Sequence, residues 1–156
     1  MHMMYSPDRI DPVILGHILG QHRELHVHLL AVRAALAEDE PPDAQRVGAV
    51  RTMLTGLRDY LKAHFEQEER GGFMEESIAR MPRLSSAVQQ VMADHPSLLA
   101  ELDTLLETLA MSDISLEAWD EATHGFAAFA DHLIAHERNE NAVVQEGYNE
   151  DLDLAD

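Results

Sequence analysis

Residues 59–68 read DYLKAHFEQE and residues 131–140 read DHLIAHERNE, so Asp, Leu, Ala, His and Glu recur at an offset of 72. Each stretch holds a His-x-x-x-Glu pair, His64/Glu68 and His136/Glu140. Residues four apart on a helix lie one above the other, so imidazole and carboxylate face the same point. A carboxylate has two oxygens and can bridge two ions, whereas a neutral imidazole completes the shell of one. A single pair of this kind also reads as an ordinary salt bridge. Two further histidines, His22 and His95, recur at an offset of 73, each with Leu three residues later. The chain therefore reads as two helical hairpins, each carrying His and His-x-x-x-Glu. Packing them about a pseudo-twofold axis would bring His22, His64, Glu68, His95, His136 and Glu140 to one centre. Imidazole plus carboxylate suits iron, manganese or zinc, and the lack of sulfur argues against copper(I).

Four amphipathic segments can position those residues. The first spans about 12–37, with Asp11 as N-cap and Pro12 at the first helical position. Ile14, Ile18, His22, Leu25, Leu29, Val32 and Leu36 form its stripe. EDEPPD (38–43) ends it. The second spans about 44–69 with Val47, Val50, Leu54, Leu57, Leu61, His64 and Glu68 inward; Gly71 and Gly72 break it. The third spans about 85–109 with Val88, Val91, His95, Leu98, Leu102, Leu105 and Leu109 inward, and Pro96 is a point where it can kink. The fourth spans about 116–145 with Ala122, Phe126, Phe129, Leu133, His136, Glu140 and Val143 inward, and Gly147 ends it. No strand pattern occurs. The expected fold is all-α, an antiparallel four-helix bundle over 12–147 followed by an acidic tail, 148–156.

The composition narrows the function. With 11 Lys+Arg against 29 Asp+Glu the formal charge is −18, which repels phosphate backbones and anionic lipid. Binding to nucleic acid or membrane is not expected. The chain has no cysteine, which excludes disulfides, thiolate nucleophiles and sulfur-ligated clusters. No apolar run approaches the ~20 residues of a membrane span, and the first residues carry no export signal, so a cytoplasmic location is expected. There is no HExxH, P-loop or GxSxG motif. Trp119, Tyr60, Phe73 and Met74 read as packing.

GQHREL (20–25), LKAHFEQEE (61–69), ADHPSL (93–98) and IAHERNE (134–140) resemble, in order, the marks of a hemerythrin-like, HHE cation-binding domain, over about residues 12–147. The resemblance implies a four-helix bundle holding two non-haem iron ions, oxo- or hydroxo-bridged. His22, His64, His95 and His136 would be the imidazole ligands, and Glu68 and Glu140 the bridges. Oxygen-carrying hemerythrins have a second histidine one turn along the third helix, where this chain has Leu99. They bridge from the fourth helix with an aspartate five residues after the histidine, where this chain has Glu140 at four. The sequence fits the HHE branch better, and the lower histidine count leaves room for an open coordination position.

His26, one turn after His22, and His132, one turn before His136, could each ligate metal, hydrogen-bond a ligand or point beside the seam. Glu69 reads as a solvated helix-face residue. His28, His124 and His17 read as surface residues, and His2 lies in the terminus. The leading functional expectation is a diiron protein that binds or senses dioxygen or another small diatomic ligand, or handles iron. A diiron oxidoreductase acting on peroxide or nitric oxide is the alternative, and whether the chain is an enzyme stays open. A third reading is an acidic interaction protein with a structural metal site; its protein partner is not identified by the sequence.

Overall fold

The computed structural model describes residues 12–37, 42–70, 79, 81–110 and 114–155; of the helices' side chains, those of residues 12–15, 17, 18 and 147–155 are not described. Asp11, Gly71, Gly72, Phe73, Met74 and His2, and the side chains of Ile14, Ile18 and His17, lie outside what is described. Four long helices carry the fold: α1 (Pro12–Leu36), α2 (Ala44–Arg70), α3 (Ser85–Thr108) and α4 (Leu116–Ala155). One 3-10 turn, Pro82–Leu84, leads into α3.

Local chemistry sets several of these bounds. Asp43 caps α2: its Oδ1 accepts from the Arg46 N–H at 2.7 Å and its carbonyl accepts from Val47 at 2.9 Å. Ser115 caps α4 in the same way, Oγ accepting from the Ala118 N–H at 3.0 Å. Arg46 then ties three helices together. Its Nη2 donates to the carbonyls of Ala35 and Leu36 at the end of α1, and its guanidinium lies 4.8 Å over the buried Trp119 ring of α4. Helix α3 runs through Pro96. Helix α4 runs through Gly147 to Ala155, so the stop expected at that glycine is not taken. A lone glycine costs a helix only about 1 kcal/mol, and no proline follows to make the stop obligatory.

Helix α1 packs on α2 and α4, and α3 packs on α2 and α4, giving a ring of neighbours. Side-chain rungs fix their directions. Gln21 meets His64 while His28 meets Tyr60; Arg58 meets Asp103 while Glu69 meets His95. Asp94 meets His136 while Glu101 meets His132; His22 meets Glu140 while His26 meets Glu137. In every pair one number rises as the other falls, so each neighbouring pair is antiparallel. Every described residue of the four expected stripes is buried. The apolar residues fall into two clusters. The larger includes Leu25, Leu36, Leu54, Leu102, Trp119 and Phe126; the smaller is Met81, Leu84, Val88, Val91, Val143 and Val144. On α3 and α4 the polar stripe residues, His95, His136 and Glu140, lie between the stretches that supply these two clusters. Among the described residues, no helix is long and apolar enough to cross a membrane.

Candidate metal centre

Leu25, Leu61, Leu98 and Leu133 are each fully buried, one from each helix, and each lies three residues from a histidine of the stripe. They floor the layer that carries the chemistry. Above them His22, His64, His95 and His136 are 1–4 % exposed, and Glu68 and Glu140 are 4 % and 0 % exposed. Burial of so many polar groups is costly unless they bind one another or a cation.

Two groups of four emerge. His22, His64, Glu68 and Glu140 each offer a ligand atom, all within 4.8 Å of one another; Glu68, His95, His136 and Glu140 do the same. Both glutamates belong to both groups. All six residues named from the repeat are brought together, and none is left out. His26 and His132 belong to neither group.

Hydrogen bonds from outside the layer set the ring orientations. His64 Nδ1 donates to Gln21 Oε1, His95 Nδ1 donates to Glu69 Oε1 at 2.9 Å, and His136 Nδ1 donates to Asp94 Oδ2 at 3.1 Å. A carboxylate only accepts, so the Nδ1 of His95 and of His136 carries the proton and Nε2 turns a lone pair inward. His22 differs, because its Nε2 donates to Glu140 Oε1 at 2.8 Å. Gln21 and Asp94 occupy equivalent places, each one residue before the first histidine of its half. The repeat that located the histidines thus also carried the signal for these two partners, which the stripe pattern alone misses. Glu69 is exposed on the face of α2, as expected, and in addition reaches across to α3.

The inward atoms fit a pair of cations. Both oxygens of Glu68, Oε2 of Glu140, and Nε2 of His95 and of His136 are buried without a hydrogen-bond partner. These are the lone-pair donors a dication would use. With protein groups alone around them, the two carboxylates cannot both ionise cheaply. Burial, and then the facing Glu140 carboxylate, pushes Glu68 up to about 12. Glu140 is held well below the usual carboxylate range: burial opposes this, but Glu68 and then His136, His22 and His64 outweigh it. His95 is lowered, chiefly by burial. His136 is raised, because Glu140 and Asp94 overcome its burial.

One buried acid was not expected. Glu137 is 4 % exposed, its Oε2 accepts from His26 Nε2 at 2.9 Å, and its Oε1 is buried without a partner. Burial raises its carboxyl, against the pull of His22 and His26. In the sequence its signal is its place four residues after Leu133 and three before Glu140, the spacing of the buried face. The other histidines sort as follows. His132 bridges Glu101 and Asp94, the latter at 3.5 Å. His124 is exposed and bonds its own helix backbone. His28 is partly buried against Tyr60 rather than fully at the surface.

The model of the hemerythrin HHE cation binding domain matches residues 13–148. No curated protein and no solved structure matches the chain. With that match over nearly all of the bundle, and with two His/Glu groups that share both glutamates at its centre, the chain belongs to the hemerythrin HHE cation-binding domain family.

Proposed function

We propose that the chain is a non-haem diiron protein that binds or senses dioxygen or a related diatomic gas. His22, His64, His95 and His136 act as terminal ligands and Glu68 and Glu140 as bridges. The observation that carries this reading is the sharing of both glutamates between the two groups of four. Each cation then has two imidazoles and two carboxylates, and iron accepts more donors than these supply. Bound iron would contribute a change of oxidation state and an open position for a small ligand. The protein's own part is to position and to exclude. Gln21, Glu69 and Asp94 hold three rings with Nε2 inward. The four-leucine floor keeps water from one side, and Phe65 lies against the histidines of the layer. Burial and the facing Glu140 favour a proton on Glu68 when no cation is held, and a cation held between the carboxylates would take that proton's place. The ligand atoms crowd within 4.8 Å, which favours a partner of a few atoms over a large organic substrate.

The test is metal analysis with an optical spectrum on protein purified under controlled oxygen. Two irons per chain, the charge-transfer bands of a bridged ferric pair, and a change reversed by removing the gas are the expected results. Sustained consumption of reductant with peroxide or nitric oxide would replace this reading with an oxidoreductase. Rapid iron exchange without any response to gas would make the chain an iron-handling protein.

A further inference from the structure

The two halves of the layer are not equally sealed. On the His95 side Phe65 stacks on the imidazole, ring centroids 3.9 Å apart and planes 9° apart, and its edge meets His136 at 5.5 Å. The residue that the 72-residue offset pairs with Phe65 is Glu137. At the same level on the His22 side there is thus a carboxylate instead of a ring. Rungs between α1 and α4 place it. His22 meets Glu140, and one turn along His26 meets Glu137. The His26 side chain is 52 % exposed, whereas that of Glu137 is 5 % exposed. A polar route thus runs from solvent through an imidazole to a buried carboxylate whose second oxygen has no partner.

The partly exposed His132 does not offer such a route. His132 reaches Asp94, which bonds Nδ1 of His136, the back of a ring whose Nε2 already faces the layer. That path ends behind a ligand, and no unpartnered oxygen terminates it.

We propose that His26 and Glu137 form a transient cation-binding port in the α1–α4 seam. Through it ions enter and leave the position bounded by His22 and His64, while the position bounded by His95 and His136 exchanges slowly behind Phe65. A hydrated dication must shed water before it enters an apolar bundle. One imidazole nitrogen and one carboxylate at the threshold replace part of that shell. Glu137 hands the ion inward to His22 and Glu140, the next rung. A buried carboxylate with an idle oxygen is otherwise a cost with no return. The inference rests on the two-cation reading of the centre.

The experiment loads the full chain with cobalt(II), adds excess chelator and follows release by absorbance. The wild-type chain should release two ions in two phases. In His26→Ala and in Glu137→Gln the stoichiometry should remain two while the fast phase slows about ten-fold, the scale of one lost ligand contact. In Glu137→Phe, which gives both halves an aromatic ring, the two phases should converge on the slow one. His132→Ala should leave both phases as they are. His26 is exposed, so its variant does not depend on core repacking. Unchanged fast release in both His26→Ala and Glu137→Gln overturns the port, as does single-phase release from the wild type. Failure of the wild-type chain to retain any cobalt would instead overturn the two-cation reading itself.

Discussion

Phe65 and Glu137 stand at matching places in the two halves of the bundle, and they do opposite things. Phe65 covers His95 with carbon and is 2 % exposed. Glu137 is almost as deeply buried, yet it carries an unsatisfied oxygen and a hydrogen bond to a half-exposed histidine. The six central residues and the leucines beneath them obey the internal repeat, whereas Phe65 and Glu137 do not. Elements that must bind the same ions are held to the same geometry, and what surrounds them is free to diverge into one closed and one polar flank.

The largest effect that would test this picture falls on what the halves share. Glu68→Gln or Glu140→Gln keeps size but removes charge, and each carboxylate belongs to both groups of four. Both ions should be lost together, whereas His22→Ala or His95→Ala should leave one ion bound. Metal counting with spin-coupling spectroscopy distinguishes the two patterns, and a normal coupled pair in both glutamine variants would make the bridge assignment wrong.

A smaller contrast concerns stability without added cation. Phe65→Ala should destabilise by about 3–5 kcal/mol through lost burial and a cavity. Glu137→Met, similar in volume, should stabilise by about 1–3 kcal/mol by removing an unsatisfied buried acid. Chemical denaturation of chelator-treated protein measures both. Opposite signs are the signature of the closed and polar flanks; destabilisation in both would mean that Glu137 is structural.

The smallest expected effect is on pH dependence. Glu68 is raised by burial and by Glu140, and Glu137 by burial, so each folded carboxyl binds a proton that the unfolded one has released. Their contribution is complete below the ordinary carboxyl value and is lost as pH rises towards the folded value. His136, raised by Glu140 and Asp94 against its burial, acts in the same direction. The melting temperature of chelator-treated protein should therefore fall as pH rises above about 7. Cation-loaded protein should not follow it, because the ions take the place of the Glu68 proton. A flat chelator-treated profile would show that the two carboxylates are already separated or solvated.

The helices and the six central residues were legible because both obey a period. The stripes through Leu54, Leu57 and Leu61, or through Phe126, Phe129 and Leu133, repeat every three or four residues and are buried as that period requires. The repeat at 72 and 73 did the same for the histidines and glutamates. What escaped lay outside the single line of residues drawn along each helix. Glu69 sits on an exposed part of α2, and only the approach of α3 gives it His95 as a partner. Glu137 stands four residues after Leu133 and three before Glu140, a helical spacing that a stripe drawn through His136 passed over. Gly147 looked like a stop because glycine often is one, but α4 has enough helix-forming residues beyond it to continue. At the counterpart of Glu69 the chain has Asn141, whose Oδ1 is buried without a partner, as is Nδ1 of His22. There the repeat survives as a pair of idle atoms rather than as a bond.

The sharing of Glu68 and Glu140 has a mechanical meaning as well. Each group of four takes three residues from one hairpin and its fourth, a glutamate, from the other. Neither hairpin can complete a shell alone. With ions in place, residues far apart in sequence are joined through the metal, so the centre acts as a cross-link in a chain that has no cysteine to make one. Pulling the first hairpin from the second would then mean breaking two coordination bridges at once, and the resistance of the bundle to being peeled into halves becomes a direct gauge of how many ions it holds.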